Sequence, residues 1–180
     1  MIQAIKEKIQ TKLPDIKKSL GFKNDLEAPR IVKVIISSGT GKAADKARNE
    51  LIIDRLGKIA GQKPVARGAK KSIASFKVRQ GDIVGVSVTL RGDRMYGFLN
   101  KLINTAIPRT RDFKGFATSS IDDMGNLTIG INEHTIFPET ADEDIRDIFG
   151  LSVTIVTTAR TKEAARALFE AMEFPFSKEG

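Results

Sequence analysis

The chain has 180 residues, 41% of them hydrophobic and 29% charged, so it can bury one core and does not have the composition of a disordered protein. It contains no cysteine and a single histidine, His134. That excludes disulfide scaffolds, zinc knuckles, thiol nucleophiles and iron–sulfur clusters, and leaves multi-histidine metal sites and most serine–histidine chemistry without residues. The formal charge is +8 and no apolar run approaches the ~20 residues of a membrane span, so the composition implies a cytoplasmic protein with no membrane partner.

In residues 2–20, Ile2, Ile5, Ile9, Leu13, Ile16 and Leu20 recur at spacings of three or four, which predicts a helix. Pro14 is expected to kink it or to begin a second short helix, and Gly21 suits the position past its end. Arg30 to Ser38 is short and β-branched and reads as a strand. Alternation puts Val32, Val34 and Ile36 on one face and Lys33, Ile35 and Ser37 on the other. A turn, SSGTGK, leads into a helix over 43–60, with Ala44, Ala47, Leu51, Ile52 and Ile59 inward and Gly61 after it.

A short extended piece spans 62–67, and 68–82 is the densest basic stretch, a basic extended loop. Ile83 to Arg91 is the clearest strand, with Val84, Val86, Val88 and Leu90 on one face and Gly85, Ser87, Thr89 and Arg91 on the other. Asp93 is the expected cap of a helix over 94–106, with Met95, Phe98, Leu99 and Leu102 buried, and Pro108 closes it. A basic loop, 109–116, follows. Strands near 117–121 and 127–131 flank the turn DDMGN. After His134 and the acidic segment 139–147 come a strand over 151–158, a helix over 162–172 capped by Thr161, and the tail FPFSKEG. In that helix Leu168, Phe169 and Met172 face inward. The tally predicts α+β: one two-layer domain over 1–180, a mostly antiparallel sheet with helices on one face and the other face open. Residues 1–22 form its N-terminal helical segment.

Charge is unevenly spread. Residues 1–57 hold 12 basic and 7 acidic side chains, residues 58–114 hold 13 and 3, and residues 115–180 hold 5 and 12, giving +5, +10 and −7. A basic middle is the footprint of a phosphate-backbone partner. An acidic last third repels that partner and points to solvent or to a basic protein. The open sheet face would carry Lys33, Ser37, Gly85, Ser87, Thr89 and Arg91. Small residues let a sugar-phosphate backbone approach, and hydroxyls bond phosphates and 2′-hydroxyls. The bland alternative is an ordinary solvated face of an antiparallel sheet.

Three other motifs carry weaker signals. Ser37-Ser38-Gly39-Thr40-Gly41-Lys42 joins a strand to a helix, but a Walker loop needs Gly where Ile36 stands and Ser or Thr where Ala43 stands. His134 lies near Glu133, Glu139 and Asp142, too few strong ligands at the wrong spacing for a metal, and reads as a surface or packed residue. The cluster Glu139, Asp142, Glu143, Asp144 and Asp147 lacks the order of a calcium loop and reads as a solvated helix start or a dock for a basic protein. The basic stretch has more substance. Lys63, Arg67, Lys70, Lys71, Lys77 and Arg79 occur with no acid between residues 62 and 81, and Phe76 lies among them, a cation–aromatic mixture suited to stacking on RNA.

Several long runs, AGQKPVARGAKKSIASFKVRQGD, VTLRGDRMYGFLNKL, AIPRTRDFKGF, DDMGNLTIGINEHTIFP and FEAMEFPF, resemble bacterial large-subunit ribosomal protein five, the 5S-rRNA-binding protein of the central protuberance. The similarity runs from Pro29 to Phe176. It implies a structural, non-enzymatic component of the large ribosomal subunit with no cofactor and no metal. It implies that the open face holds 5S rRNA, with Lys33, Ser37, Gln62 and Thr89 at the family's contact positions, to which the open-face and basic-stretch readings add Lys63, Ser87 and Arg91 as expected contacts. A tRNA-facing loop would present Lys70, Lys71, Ser72, Phe76, Lys77, Arg79 and Gln80 to the elbow of the peptidyl-site tRNA. Arg109, Arg111, Asp112, Phe113, Asp142, Glu143 and Asp144 would lie where an intersubunit bridge meets small-subunit protein thirteen. Further implied partners are 23S rRNA and other 5S-rRNA-binding proteins. The family usually reads Asn-Met-Gly after the first strand, and this chain has Ser37-Ser38-Gly39. Serine keeps one donor and acceptor but loses the amide's reach. Two readings from other classes remain: a nucleotide-dependent enzyme using the 39–42 turn, and a free-standing nucleic-acid chaperone with no preference among RNAs.

Overall fold

A computed structural model describes residues 5–40, 46–111, 113–141 and 147–177. The apolar stripe of the first segment forms one helix, α1 (Ile5–Leu20), with Ile5, Ile9 and Ile16 buried. It runs through Pro14 without ending. Both Pro14 and Gln10, whose carbonyl proline leaves without a donor, are on the exposed side of the helix. Gly21 takes φ +68° past the helix end, a left-handed conformation that suits glycine.

The strands are β1 (Ile31–Gly39), β2 (Val65–Gly68), β3 (Ile83–Leu90), β4 (Leu127–Ile131) and β5 (Leu151–Thr157). They form one antiparallel sheet in the order β2-β3-β1-β5-β4. The remaining helices are α2 (Lys46–Ala60), α3 (Gly92–Lys101) and α4 (Lys162–Ala171). The architecture is α+β, as the interleaved pattern predicts.

Several elements differ from the sequence expectation. The segment 117–121 is no strand: it is a single 3-10 turn, Thr118–Ser120, with one isolated bridge from Ile121 to Leu127. The fifth strand is instead β2, all four of whose residues are exposed, so it lacks the apolar alternation that marks a strand. On β1, Val32 is exposed while Ile31 and Val34 are both buried. The alternation therefore starts one residue out of step. Just before it, Arg30 is tied to Thr158, whose N–H donates to the Arg30 carbonyl at 2.9 Å and whose hydroxyl accepts the Arg30 N–H at 3.0 Å. Asp93 does not cap α3. Arg91 holds the cap position, and Asp93 lies in the first turn, where its charge favours the helix dipole. The third helix ends as an α-helix at Lys101 and continues through a π-turn, Leu102–Ala106. Thr161 does cap α4, accepting the Ala164 N–H at 3.3 Å. On α2, Ala47 is exposed and Asn49 is buried. The expected start of that helix at residues 43–45, with Ala44, lies outside the described residues.

The chain forms two compact units. The first comprises Met1–Val34, Arg91–Ile129 and Thr154–Gly180; the second comprises Ile35–Leu90 and Gly130–Val153. In the first, α1 packs on α3 and α4. Phe113, Phe116, Phe169, Phe174 and Phe176 gather with ring centroids 5.0–6.4 Å apart, spacings at which rings attract edge-on or tilted. Residues 174–177 of the predicted tail are part of this core. Phe116 donates to the Pro175 carbonyl at 3.0 Å and accepts from Ser177 N–H at 2.9 Å. In the second unit α2 packs on β3 and on the 3-10 turn Pro138–Thr140. His134 is fully buried, stacked on Phe149 with centroids 4.0 Å apart, and its Nδ1 accepts the Phe149 N–H at 3.3 Å. It is a packed residue.

Candidate nucleic-acid interface

The polar surface of the second unit starts from the pairing of β2 with β3. Val65 lies opposite Ser87 and Arg67 opposite Gly85. Residues opposite one another share a face, so Val65, Arg67, Gly85, Ser87 and Thr89 belong together. This is the face that alternation along β3 predicts, enlarged by two residues from β2. The opposite face carries Val86, Val88 and Leu90, all within the core.

Ser87 is not open as expected: it retains only 9% exposure. Its hydroxyl accepts Nε of Arg67 at 2.7 Å, and a long side chain placed diagonally across the strands covers it. Gly85 also has a second reason to be glycine. A Cβ there would meet the Ser38 carbonyl oxygen at 3.2 Å, so the sheet's own backbone sets this constraint. Gln62 donates its side-chain amide to the Thr89 carbonyl at 3.3 Å, which anchors the residues before β2 to the end of β3. Thr89 is half-buried and Lys63 exposed.

On β1, Ser37 is half-buried and its hydroxyl lies 2.9 Å from that of Ser152 on β5. Ser38 points to the other face, buried, with its hydroxyl donating to the Gly150 carbonyl at 2.7 Å. In the first unit, Thr128 on β4 and Thr154 on β5 form a second hydroxyl pair at 3.1 Å. Lys33 is half-buried on β1 and Arg91 is exposed. The sequence reading assigns no role to Ser152, Thr154 or Thr128, and it places Arg67 in the basic stretch rather than on the sheet face. The first two could have been found, because β5 alternates cleanly and they occupy its outward positions.

The basic stretch is a closed hairpin. Ala69 and Asp82 begin it, with Ala69 N–H donating to the Asp82 carbonyl at 2.8 Å and Gly81 N–H to the Ala69 carbonyl at 3.0 Å. Higher up, Ile73 and Val78 exchange both backbone bonds, at 2.9 and 3.3 Å, around a 3-10 turn, Ala74–Phe76. The Ser72 hydroxyl accepts the Gln80 N–H at 2.9 Å, and the Asp82 carboxylate accepts the Arg79 N–H at 2.7 Å. Backbone groups and the Ser72 and Asp82 acceptors thus hold the loop, and among the described residues the side chains of Lys70, Lys71, Lys77 and Arg79 make no hydrogen bond or ion pair. Lys70, Lys71, Lys77, Arg79 and Gln80 are exposed, and Phe76 is 73% exposed. Ile73, Phe76 and Val78 also line a cleft of about 1150 Å³ with Arg48, Lys70 and Lys71.

Of the expected bridge residues, Arg109 and Arg111 are exposed. Phe113 is half-buried with its ring 5.0 Å from that of Phe116, inside the aromatic cluster. Asp112, Asp142, Glu143 and Asp144 lie outside the described residues, as do Gly41 and Lys42 of the turn after β1. Among the described residues no cluster of three or more metal-ligating side chains exists, and no helix is long and apolar enough to cross a membrane.

Cations and hydroxyls displayed on a sheet, beside a basic hairpin with an exposed ring, are the equipment of a binding module. The family of ribosomal protein L5 matches residues 24–79, and the model of that ribosomal family's C-terminus matches residues 83–176. The chain is 49% identical over 164 residues to the large ribosomal subunit protein uL5 of Synechococcus sp. (strain RCC307), covering 91% of this chain and 92% of that one. It is 46% identical over 176 residues to the protein of that name from Thermoanaerobacter sp. (strain X514), covering 97% and 98%. With the corresponding protein of Anaeromyxobacter sp. (strain K) the identity is 44% over 178 residues, 98% of this chain and 99% of that one. The chain belongs to the ribosomal protein L5 family. It is a structural constituent of the large ribosomal subunit and not an enzyme.

Proposed function

We propose that the chain binds 5S rRNA and helps to attach it in the central protuberance, and that the sheet face of the second unit is the main contact. The observation that carries this is the cross-strand polar array: Arg67 on Ser87, Gln62 on Thr89, and the Ser37–Ser152 hydroxyl pair. Such groups suit phosphates and 2′-hydroxyls and do not suit a dry protein core. Lys63 of the second unit, and Lys33 and Arg91 of the first, are further phosphate contacts. Counterion release by these cations supplies most of the affinity and makes it salt-dependent. The hairpin Ala69–Asp82 serves a different partner, the peptidyl-site tRNA. Its preformed backbone and free Lys70, Lys71, Phe76, Lys77 and Arg79 support that division. The acidic last third, with Arg109 and Arg111, is the side offered to a basic small-subunit protein.

The test is affinity for 5S rRNA at two salt concentrations with tRNA and duplex DNA as competitors. Binding that survives excess competitor supports shape-specific recognition. Equal binding to all three, collapsing as salt rises, overturns it. Lys33→Glu and Thr89→Ala are expected to weaken 5S rRNA binding while leaving thermal unfolding unchanged, and deletion of residues 70–79 to spare it. A deletion that costs as much affinity as the sheet substitutions would refute the division of labour.

A further inference from the structure

We infer that Arg67 is a phosphate clamp on the sheet face and that Ser87 does not itself touch RNA but orients the Arg67 guanidinium. This rests on the reading that the sheet face binds RNA. The two residues are diagonal neighbours across β2 and β3, since Arg67 stands opposite Gly85 and Ser87 opposite Val65. Diagonal positions are within reach of a long side chain. The 2.7 Å bond from Arg67 Nε to Ser87 Oγ uses the side edge of the guanidinium. What remains is the end edge, where Nη1 and Nη2 each present an N–H in parallel. That fork matches two oxygens of one phosphate.

Three further observations favour this assignment. Ser87 is 9% exposed beneath the arginine, so its hydroxyl serves as an acceptor for Nε and has little surface left for RNA. Arg67 itself is exposed and, among the described residues, pairs with no carboxylate. No acidic residue occurs between 62 and 81, so nothing near it in the chain neutralises its charge. Orientation matters because a free arginine side chain loses rotamer entropy on binding. The Ser87 bond has already removed part of that freedom.

The proposal is tested with the full chain and purified 5S rRNA, by measuring affinity as a function of salt. Arg67→Gln is expected to weaken binding about tenfold and to lower the salt slope by about one, as loss of one phosphate contact does. Ser87→Ala is expected to weaken binding several-fold with the slope retained, because the charge stays and only its orientation is lost. Ser87→Thr, which keeps the hydroxyl, restores affinity. Arg67→Lys keeps the slope but not the affinity, because an ammonium cannot bond Ser87 and fork a phosphate together. Unchanged affinity and slope in Arg67→Gln, with Lys33→Glu still defective, overturns the clamp and leaves the sheet-face reading standing. A Ser87→Ala variant equal to wild type overturns the positioning role. If the wild-type protein shows no preference for 5S rRNA over tRNA and duplex DNA, the underlying reading fails, whatever the variants do.

Discussion

Phe76 and Phe169 show how differently two regions of this chain keep their shape. Phe169 has no exposed surface and lies in a cluster of five rings, where the order of the region depends on side chains packing together. Phe76 is 73% exposed at the end of a hairpin whose order comes from backbone bonds and two side-chain acceptors, Ser72 and Asp82. A loop built on its backbone can leave lysines, arginines and a ring unpaired for a partner. A core built on its rings cannot. Exposure of an aromatic side chain here is therefore a consequence of how the loop is held, and not a packing failure.

Substitutions can break this contrast or sharpen it. The largest effect is expected for Phe169→Ala, about 3–5 kcal/mol of lost stability in denaturant unfolding, against about 0.5 kcal/mol or less for Phe76→Ala. Comparable losses would mean that the hairpin also depends on its ring. Next come the glycines. Gly115 has φ +100° and a Cβ there would sit 2.5 Å from Ser177 N, whereas Gly81 has φ +93° with open space around it. Gly115→Ala should cost about 3 kcal/mol or more, through clash and strain together, and Gly81→Ala about 1–2 kcal/mol through strain alone. Equal unfolding midpoints for the two variants would remove the clash from the explanation.

A smaller effect, near the aromatic cluster, depends on pH. Glu173, just past α4, accepts a hydrogen bond from Lys8 and lies near Lys12, and these hold its carboxyl below the usual range, with the Lys8 bond first among the causes. A carboxyl lowered in the folded state is protonated first in the unfolded chain. Its contribution is therefore present above about pH 4.5, the ordinary value, and is lost as pH falls through the native value. Glu173→Gln should flatten that acid limb of the melting curve, and an unchanged limb would assign the pH dependence to other carboxyls such as Asp122, which Asn126 lowers by hydrogen bonding. The smallest effect belongs to Ser72→Ala. It removes the acceptor for Gln80 N–H at an exposed site, costs about 0.5 kcal/mol, and should show as faster amide exchange at Gln80 with the aromatic cluster unaffected.

Much of the fold is legible along the chain. β3 and β5 alternate, α1 and α4 repeat at three and four, and Gly21 and Thr161 mark helix ends, because these signals depend on neighbours in sequence. Misreadings occur where the local signal is weak or is overridden. β2 is exposed on all four residues and carries no apolar alternation, so only its pairing with β3 makes it a strand. The 117–121 segment has only Thr118 and Ile121 as strand formers and finds a single bridge. Val32 is exposed at the start of β1, where Arg30 just before it is tied to Thr158, 128 residues away in sequence.

The candidate interface divides in the same way. Sequence alone determined that residues 58–114 are strongly basic, that Lys33 and Ser37 share one face of β1, and that Thr89 lies opposite the apolar side of β3. Charge and two-residue alternation are properties of a single strand. Only the tertiary structure decided that Ser87 lies under Arg67, that Ser37 meets Ser152, and that the FPF tail closes on Phe116. Those outcomes depend on strand order and register. A side chain's cross-strand partner is set by how distant segments align, and alternation along one strand does not specify that alignment.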